Sequence, residues 1–132
     1  MVVDDDVMIR RLLSRLLTTD LSCEVIEAGH GLEALLAIQV AVPDLVLLDL
    51  DMPVMDGLSL LRSLRLSPLH HDLPVVCLSA TRDGPLLRTL VGLGIEQFVL
   101  KPLDLRTTAA KLGLLIRDLK LKAQSLDPAS RV

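Results

Sequence analysis

The apolar residues of the chain follow two alternating patterns, and polar residues mark the points where each pattern ends. Between residues 7 and 17 apolar side chains recur every three or four positions, which predicts an amphipathic helix with Arg10, Arg11 and Arg15 facing solvent. Short continuous apolar runs instead have the length of strands buried on both faces of a parallel sheet. Strands are predicted at 1–3, 23–26, 45–48, 75–78 and 98–100.

Helical spacing and glycine or proline breaks predict a helix after each strand. The predicted helices cover 7–17, 32–40, 58–66 and 86–93, and a fifth begins after Asp104, which can cap it. Gly94 is the expected stop of the fourth helix, and residues 52–57 are expected to form a loop. This alternation predicts an α/β fold in which a doubly wound, five-stranded parallel sheet carries helices on both faces.

Length, charge and hydropathy exclude several classes of protein. The chain has 132 residues, a formal net charge of -3 and a pI of about 5.5, which fits one domain and argues against binding nucleic acid through a basic face. Mean hydropathy is +0.53, but every apolar run is shorter than the roughly 18 residues of a membrane span. We therefore expect a soluble protein, part of whose leucine excess forms a patch for a partner.

The cysteines and the start of the chain indicate the expected compartment. Cys23 and Cys77 are the two cysteines, so no disulfide framework is implied, and Cys77 lies inside a predicted strand. No charged segment followed by a long apolar core opens the chain, so no secretory signal is predicted. We expect a cytoplasmic location.

Polar residues that suit phosphoryl chemistry follow four of the apolar runs. They are the acids at 4–6, then Asp49, Ser79 and Lys101. The carboxyl ends of parallel strands meet at one edge of a sheet, so these side chains are expected to converge. Neighbouring carboxylates repel one another, and a hard divalent cation such as Mg²⁺ relieves that repulsion. The sequence thus predicts a magnesium site in which a carboxylate can act as a nucleophile.

These residues and the motifs around them resemble the receiver domain of two-component response regulators, from Val2 to about residue 119. The matching segments are the acid cluster, Leu-Leu-Asp-Leu-Asp-Met-Pro-Val-Met-Asp-Gly at 47–57, Leu-Ser-Ala at 78–80 and the Lys-Pro pair at 101–102. The resemblance implies a flavodoxin-like (βα)5 fold with strand order 2-1-3-4-5. It also implies a receiver domain over 1–120, followed at 121–132 by a helical extension, linker or tail.

The resemblance implies a role for each residue of the predicted site. Asp49 would be the phosphoacceptor, and Mg²⁺ would be bound by Asp5, by Asp4 through the outer sphere, by Asp49 and by the backbone carbonyl of Asp51. Phosphate binding and switching would involve Ser79, Ala80, Lys101 and Phe98, and Pro102 is the candidate for a cis peptide bond. The implied donor is a sensor histidine kinase or a phosphotransfer protein. An output surface is expected on the fourth helix, fifth strand and fifth helix, at Leu86, Leu87, Arg88, Leu90 and Arg106.

The last predicted helix carries a heptad pattern in addition. Apolar residues recur in steps of four and three at Leu105, Ala109, Leu112, Ile116, Leu119, Ala123 and Leu126. Residues 105–116 are expected to pack on the sheet. Beyond Leu119 a coiled-coil linker or a homodimer contact is the hypothesis, beside a homodimer through the fourth helix, fifth strand and fifth helix.

Two other functions are compatible with parts of the pattern. Asp49-Leu50-Asp51 after an apolar strand is similar to the nucleophile motif of haloacid-dehalogenase-type phosphohydrolases, although those enzymes place it on the first strand. A phosphorylation-independent binding module of the same fold is the other alternative, and the full acid, hydroxyl and lysine set argues against it. The adjacent His70 and His71 lack further ligands at metal-binding spacing and are expected in a surface loop.

Overall fold

The computed structural model describes residues 1–52, 55–80 and 82–126, and within them five strands form one parallel sheet. Pro53 and Val54 of the predicted loop, and residues 127–132 of the predicted tail, lie outside the described residues. The strands are β1 (Val2–Val3), β2 (Glu27–Ala28), β3 (Val46–Asp49), β4 (Val75–Ser79) and β5 (Gln97–Leu100). The helices are α1 (Val7–Arg15), α2 (Gly31–Val40), α3 (Gly57–Leu66), α4 (Gly84–Gly92) and α5 (Leu105–Leu126).

The strand order is β2-β1-β3-β4-β5, and every neighbouring pair is parallel. This order confirms the predicted doubly wound fold. Successive strand residues point to opposite faces, so the adjacent Leu47 and Leu48 belong to two separate apolar layers. The layer containing Leu48 also contains buried residues of α2, α3 and α4, whereas the layer containing Leu47 contains those of α1 and α5.

Polar side chains fix the start of four helices. The carboxylate of Asp6 accepts the amide of Met8 at 2.9 Å at the start of α1, and Asp56 accepts the amide of Ser59 at 2.7 Å at the start of α3. His30 caps α2 through Nδ1, and Asp104 caps α5 by accepting the amide of Thr107 at 3.0 Å. These bonds satisfy amides that have no partner inside the helix.

The largest difference from the prediction is the position of the second strand. The second strand was predicted at residues 23–26 but lies at Glu27–Ala28, and the segment before it is irregular. Helix α1 ends at Arg15 and continues into a wider π-helical turn over Leu16–Asp20. Ser22 then takes a left-handed backbone angle, φ 55°. This wider turn takes up the last predicted helical residues, and β2 begins four residues after the predicted strand start.

Gly57 allows α3 to begin directly behind the end of β3. A Cβ atom at this position would overlap the carbonyl oxygen of Asp49 and lie 2.7 Å from the Cα atom of Leu50. The amide of Gly57 donates to the carbonyl of Leu50 at 3.2 Å, which closes the loop between the two elements. The backbone around Asp49 is therefore confined by a position where no side chain fits.

Helix α5 is 22 residues long, and its residues in the apolar layer lie within its first twelve positions. Leu112 is fully buried, and Ala109 and Ile116 are partly buried in the same apolar layer. After Ile116 most described side chains are exposed, although Leu119 is half-buried. Residues 120 and 121, between which the predicted receiver domain ends and the extension begins, both belong to α5. The side chain of Leu126 lies outside the described residues. Among the helices described, none has both the length and the apolar content needed to cross a bilayer.

Candidate phosphoacceptor and metal site

The predicted site residues meet at the carboxyl edge of the sheet. Asp4 directly follows β1, Asp49 and Ser79 are the last residues of β3 and β4, and Lys101 directly follows β5. Parallel pairing keeps these ends side by side, since Asp49 is in register with Leu78 and Ser79 with Leu100. Residues almost a hundred positions apart are thereby brought to one place, as the topology predicts.

Three carboxylates form the acidic part of the site. One carboxylate oxygen from each of Asp4, Asp5 and Asp49 lies within 4.8 Å of the others. Asp4 and Asp49 are buried, and Asp5 is exposed. The neighbouring Asp6 uses its carboxylate to cap α1 instead. The structure thus brings three of the five acids at or just after the ends of β1 and β3 into one cluster.

Backbone amides occupy part of the acceptor capacity of the two buried acids. The amide of Asp6 donates to Oδ1 of Asp4 at 2.9 Å, and the amide of Asp51 donates to Oδ1 of Asp49 at 3.1 Å. Oδ2 of Asp4 is buried and has no hydrogen-bond partner among the residues described. A buried carboxylate oxygen without a donor is costly unless a cation faces it.

Lys101 supplies a positive charge at this point. Its Nζ lies 3.2 Å from Oδ1 of Asp49 and 3.4 Å from Oδ2 of Asp4, the latter as an ion pair without hydrogen-bond geometry. Burial lowers the pKa of Lys101, but the hydrogen bond and charge of Asp49, together with Asp4, outweigh burial and raise it. The lysine is therefore held in its charged form.

The same surroundings also raise the pKa of Asp49, but in a carboxyl group this disfavours the charged form. Burial is the largest effect on its pKa and, with the charge of Asp4, raises it to about 6. The amide of Asp51 and the ammonium group of Lys101 oppose this rise without cancelling it. The single lysine therefore does not fully compensate the charge of this carboxylate in its buried position.

The donor set fits Mg²⁺, a hard cation that prefers oxygen ligands and one or two carboxylates. The fit is supported by the three clustered carboxylates, by the buried Oδ2 of Asp4, which accepts no hydrogen bond, and by the raised pKa of Asp49. The side chain of Asp51 is exposed. The described contact of this residue is the hydrogen bond from its backbone amide to the carboxylate of Asp49. The residues present are thus suited to binding a divalent cation.

The residues predicted to bind phosphate and to switch surround this cluster. Ser79 is buried, and its backbone carbonyl accepts the amide of Lys101 at 2.9 Å, which joins the ends of β4 and β5. Ala80 is exposed next to it. Phe98 is half-buried against the apolar layer that contains the α4 residues. The peptide bond between Lys101 and Pro102 is cis.

The prediction of the output surface is wrong for one residue. Arg88 and Arg106 are exposed, and Leu86 and Leu87 are partly buried. Leu90 is fully buried and belongs to the apolar layer beneath α4, so it cannot present its side chain to a partner. Leu86 and Leu87 pack partly against the same layer, and Leu90 lies one turn further along that face of α4.

Arg10 was also assigned wrongly by the sequence pattern. Its side chain is only 19% exposed and does not face solvent. Instead it donates to the backbone carbonyl of Asp4 at 2.7 Å and to the carboxylate of Glu27 at 3.1 Å. Its polar position on an amphipathic helix carries no signal for this contact, because the alternation of polar and apolar residues does not distinguish solvent from a polar loop.

The fold and this site define the class of protein. The model of the response regulator receiver domain matches residues 1–113, and the chain belongs to this family, the receiver domains of two-component systems. It is 29% identical to the chemotaxis protein CheY4 of Vibrio cholerae, with a TM-score of 0.77 over 84% of this chain and 92% of that one. The receiver domain of NtrX from Brucella abortus is 32% identical, with a TM-score of 0.75 over 89% and 94% of the two chains.

Curated relatives are longer proteins. A probable transcriptional regulator, ycf27 of Cyanophora paradoxa, is 36% identical over 89% of this chain and 47% of its own length. The cyclic di-GMP phosphodiesterase response regulator RpfG of Xanthomonas campestris is 35% identical over 94% of this chain and 32% of its own length. The chain thus spans a third to a half of these relatives.

Proposed function

We propose that the chain is a phosphorylation-controlled switch in which Asp49 is the phosphoacceptor. The observation that carries this proposal is the set of three carboxylates within 4.8 Å beside the ammonium group of Lys101. Such a site can bind a divalent cation and place a carboxylate oxygen next to groups that stabilise a phosphoryl group.

Asp49 would take a phosphoryl group from the phosphohistidine of a sensor histidine kinase or a phosphotransfer protein. A carboxylate oxygen of Asp49 forms the new bond to phosphorus, the bond from phosphorus to the imidazole nitrogen breaks, and the imidazole leaves with its electron pair. Lys101 and the hydroxyl group of Ser79 would contact the phosphoryl oxygens. Mg²⁺ held by Asp5, Asp49, the Asp51 carbonyl and, through the outer sphere, Asp4 would neutralise charge on the transferred group.

The phosphoryl group would act by biasing two states of the protein. It favours the state in which Ser79 and Lys101 contact it better, since a ligand shifts an equilibrium only through differential contacts. Phe98 lies in the strand that Lys101 follows and packs against the layer under α4. We assign it the role of transmitting the change to the surface of α4, β5 and α5, including the exposed Arg88 and Arg106.

The partners follow from this assignment. The kinase or phosphotransfer protein acts on the site, and a homodimer through α4, β5 and α5 or through the end of α5 is one form of output. The expected location is the cytoplasm. Sedimentation of the wild-type chain with and without a phosphoryl mimic tests the dimer, and a strict monomer at high concentration in both conditions would exclude it.

The direct test of the switch is amide NMR with Mg²⁺, then with added beryllofluoride as a phosphoryl mimic. Shifts that spread from Asp49 to Ser79, Phe98 and α4, and that are absent from an Asp49→Asn control, are the expected result. Shifts with Mg²⁺ and none with beryllofluoride would leave a binding module that retains its metal site without a switch. Turnover of a generic phosphate ester would instead favour a phosphohydrolase.

A further inference from the structure

The side chain of Arg10 connects α1 to the ends of two strands. One guanidinium nitrogen donates to the backbone carbonyl of Asp4, which directly follows β1, at 2.7 Å. Its Nε donates to the carboxylate of Glu27, the first residue of β2, at 3.1 Å. The arginine side chain is 19% exposed and that of Glu27 is 42% exposed. The two hydrogen bonds of Arg10, called the Arg10 bridge below, are therefore partly buried.

We propose that Arg10 is a positioning residue for the metal site and fixes the backbone that carries Asp4 and Asp5. This inference rests on the proposed function, since it concerns the binding of Mg²⁺ to these acids. Arg10 does not touch the carboxylate cluster itself. It acts through the peptide unit between Asp4 and Asp5, whose carbonyl oxygen it holds.

The segment that carries the acids needs such support. Strand β1 is only two residues long, and three consecutive aspartates follow it before α1 begins. Their charges repel one another, which favours an open loop. The amide of Asp4 is held by the carbonyl of Ala28 at 3.1 Å, and its carbonyl is held by Arg10. Both polar groups of the Asp4 backbone are thus tied to the region of β2.

Arginine suits this bridge better than lysine would. A guanidinium group presents several N–H donors in a rigid fork, so it can bond a carbonyl and a carboxylate at the same time. A lysine ammonium on its flexible stem retains the charge but not this geometry. Glu27 offsets much of the arginine charge and leaves the directed hydrogen bond to Asp4 as the main local effect.

Positioning and simple charge effects predict opposite signs for metal binding. The positive charge of Arg10 repels a divalent cation, so its removal should tighten Mg²⁺ binding if charge alone matters. If Arg10 positions the acid loop, its removal should weaken binding, because the carboxylates are no longer held in place for the cation. The direction of the change therefore decides between the two roles.

The experiment compares the wild-type chain with Arg10→Lys, Arg10→Gln and, as a matched control, Arg11→Gln. Arg11 is the next residue of α1 and is exposed, so its replacement makes the same change in net charge without breaking the bridge. The dissociation constant of Mg²⁺ is measured by isothermal titration calorimetry. Far-UV circular dichroism in urea, without metal, gives the stability of each variant.

We expect both Arg10 variants to bind Mg²⁺ about tenfold more weakly than the wild type. The Arg11 variant should bind it equally well or slightly better. Arg10→Lys should fail to restore affinity although it keeps the charge. In the metal-free amide spectrum, the resonances of Asp4 and Asp5 should move in the Arg10 variants and stay in place in the Arg11 control.

Several results would overturn the inference. Tighter or unchanged binding by Arg10→Gln would reduce Arg10 to a charge effect or to no effect. Lower stability with unchanged Mg²⁺ affinity would make it a structural residue only. A wild-type chain without saturable Mg²⁺ binding would instead contradict the proposed function, and this inference with it, so the two failures are distinguishable.

Discussion

The ammonium group of Lys111 in α5 donates a hydrogen bond of 2.6 Å to the backbone carbonyl oxygen of Phe98 in β5. Strand β5 is at the edge of the sheet, so its outward-facing backbone groups have no neighbouring strand among the described residues. The lysine satisfies one of them. It also ties α5 to the strand that carries the only aromatic residue of the chain.

Replacing Lys111 by methionine should therefore destabilise the protein. The apolar stem is kept and the charged donor is lost, so the free energy of unfolding should fall by about 1.5 kcal/mol. Urea unfolding followed by far-UV circular dichroism measures this change. Lys120→Met removes an exposed lysine of the same helix and should change the stability by less than about 0.5 kcal/mol. Equal effects of the two substitutions would show that the bond to Phe98 contributes nothing.

Gly57 and Gly92 provide a pair of substitutions with opposite expected signs. Gly57→Ala places a methyl group against the backbone of Asp49 and Leu50, and should cost about 2 to 3 kcal/mol. A Cβ atom at Gly92, in the last turn of α4, meets no atom within 4 Å. Gly92→Ala should stabilise the helix by about 0.5 kcal/mol. Thermal and urea unfolding of both variants test this, and a well-tolerated Gly57→Ala would contradict the described approach of the chain behind Asp49.

The raised pKa of Asp49 predicts a pH-dependent stability in the absence of metal. Burial, together with Asp4, brings this pKa from 3.8 to about 6, so between these values the folded state binds more protons than the unfolded state. Stability contributed by this group is then lost as the pH rises through about 6. Asp49→Asn should be more stable than the wild type at pH 8 in EDTA, and the difference should shrink towards pH 4.

Magnesium provides the control for this prediction. Saturating Mg²⁺ should stabilise the wild type at pH 8 and reduce its deficit relative to Asp49→Asn, because the cation compensates the buried charge. Urea unfolding at a series of pH values, with and without the metal, gives both comparisons. A difference between the two proteins that stays constant from pH 4 to 8 would contradict the raised pKa.

The two cysteines should differ strongly in reactivity. Burial raises the pKa of Cys77 to about 12, against the opposing charge of Arg65, and only the thiolate is nucleophilic. Cys23 is free and partly exposed. Iodoacetamide at pH 8 should modify one thiol of the native protein and the second only after unfolding, as mass spectrometry would show. Cys23→Ser should lose the first modification, and rapid labelling of that variant would place Cys77 outside the core.

The sequence was sufficient to predict the sheet and the meeting of Asp49, Ser79 and Lys101 at its edge. Continuous apolar runs mark central parallel strands, and the topology of a parallel sheet brings their carboxyl ends together. The convergence of these side chains can therefore be predicted without knowing any distance. The second strand was misplaced because it has only two residues, too few to form an apolar pattern. Local patterns do not encode such a tertiary detail.

The residues that hold the backbone around the site were harder to predict than the carboxylates of the site. Arg10 and Lys111 donate to backbone carbonyls. Every residue has a backbone carbonyl, so the sequence does not indicate which one a side chain will contact. Leu90 was misassigned because its apolar side chain was interpreted as part of a partner surface, although its spacing from Leu86 places it on the inward face of α4. The roles of Asp49, Ser79 and Phe98 are predictions that the beryllofluoride experiment tests.

The length of α5 means that a small change in its angle moves its far end by a larger distance. The helix is 22 residues long, and its last ten residues, after Ile116, extend about 15 Å beyond the residues packed on the sheet. A tilt of about 10° at Ile116 would move the backbone of Leu126 by about 3 Å. A change in the packing of α5 at Ile116 would thus displace the far end of the helix by several times the shift at its base.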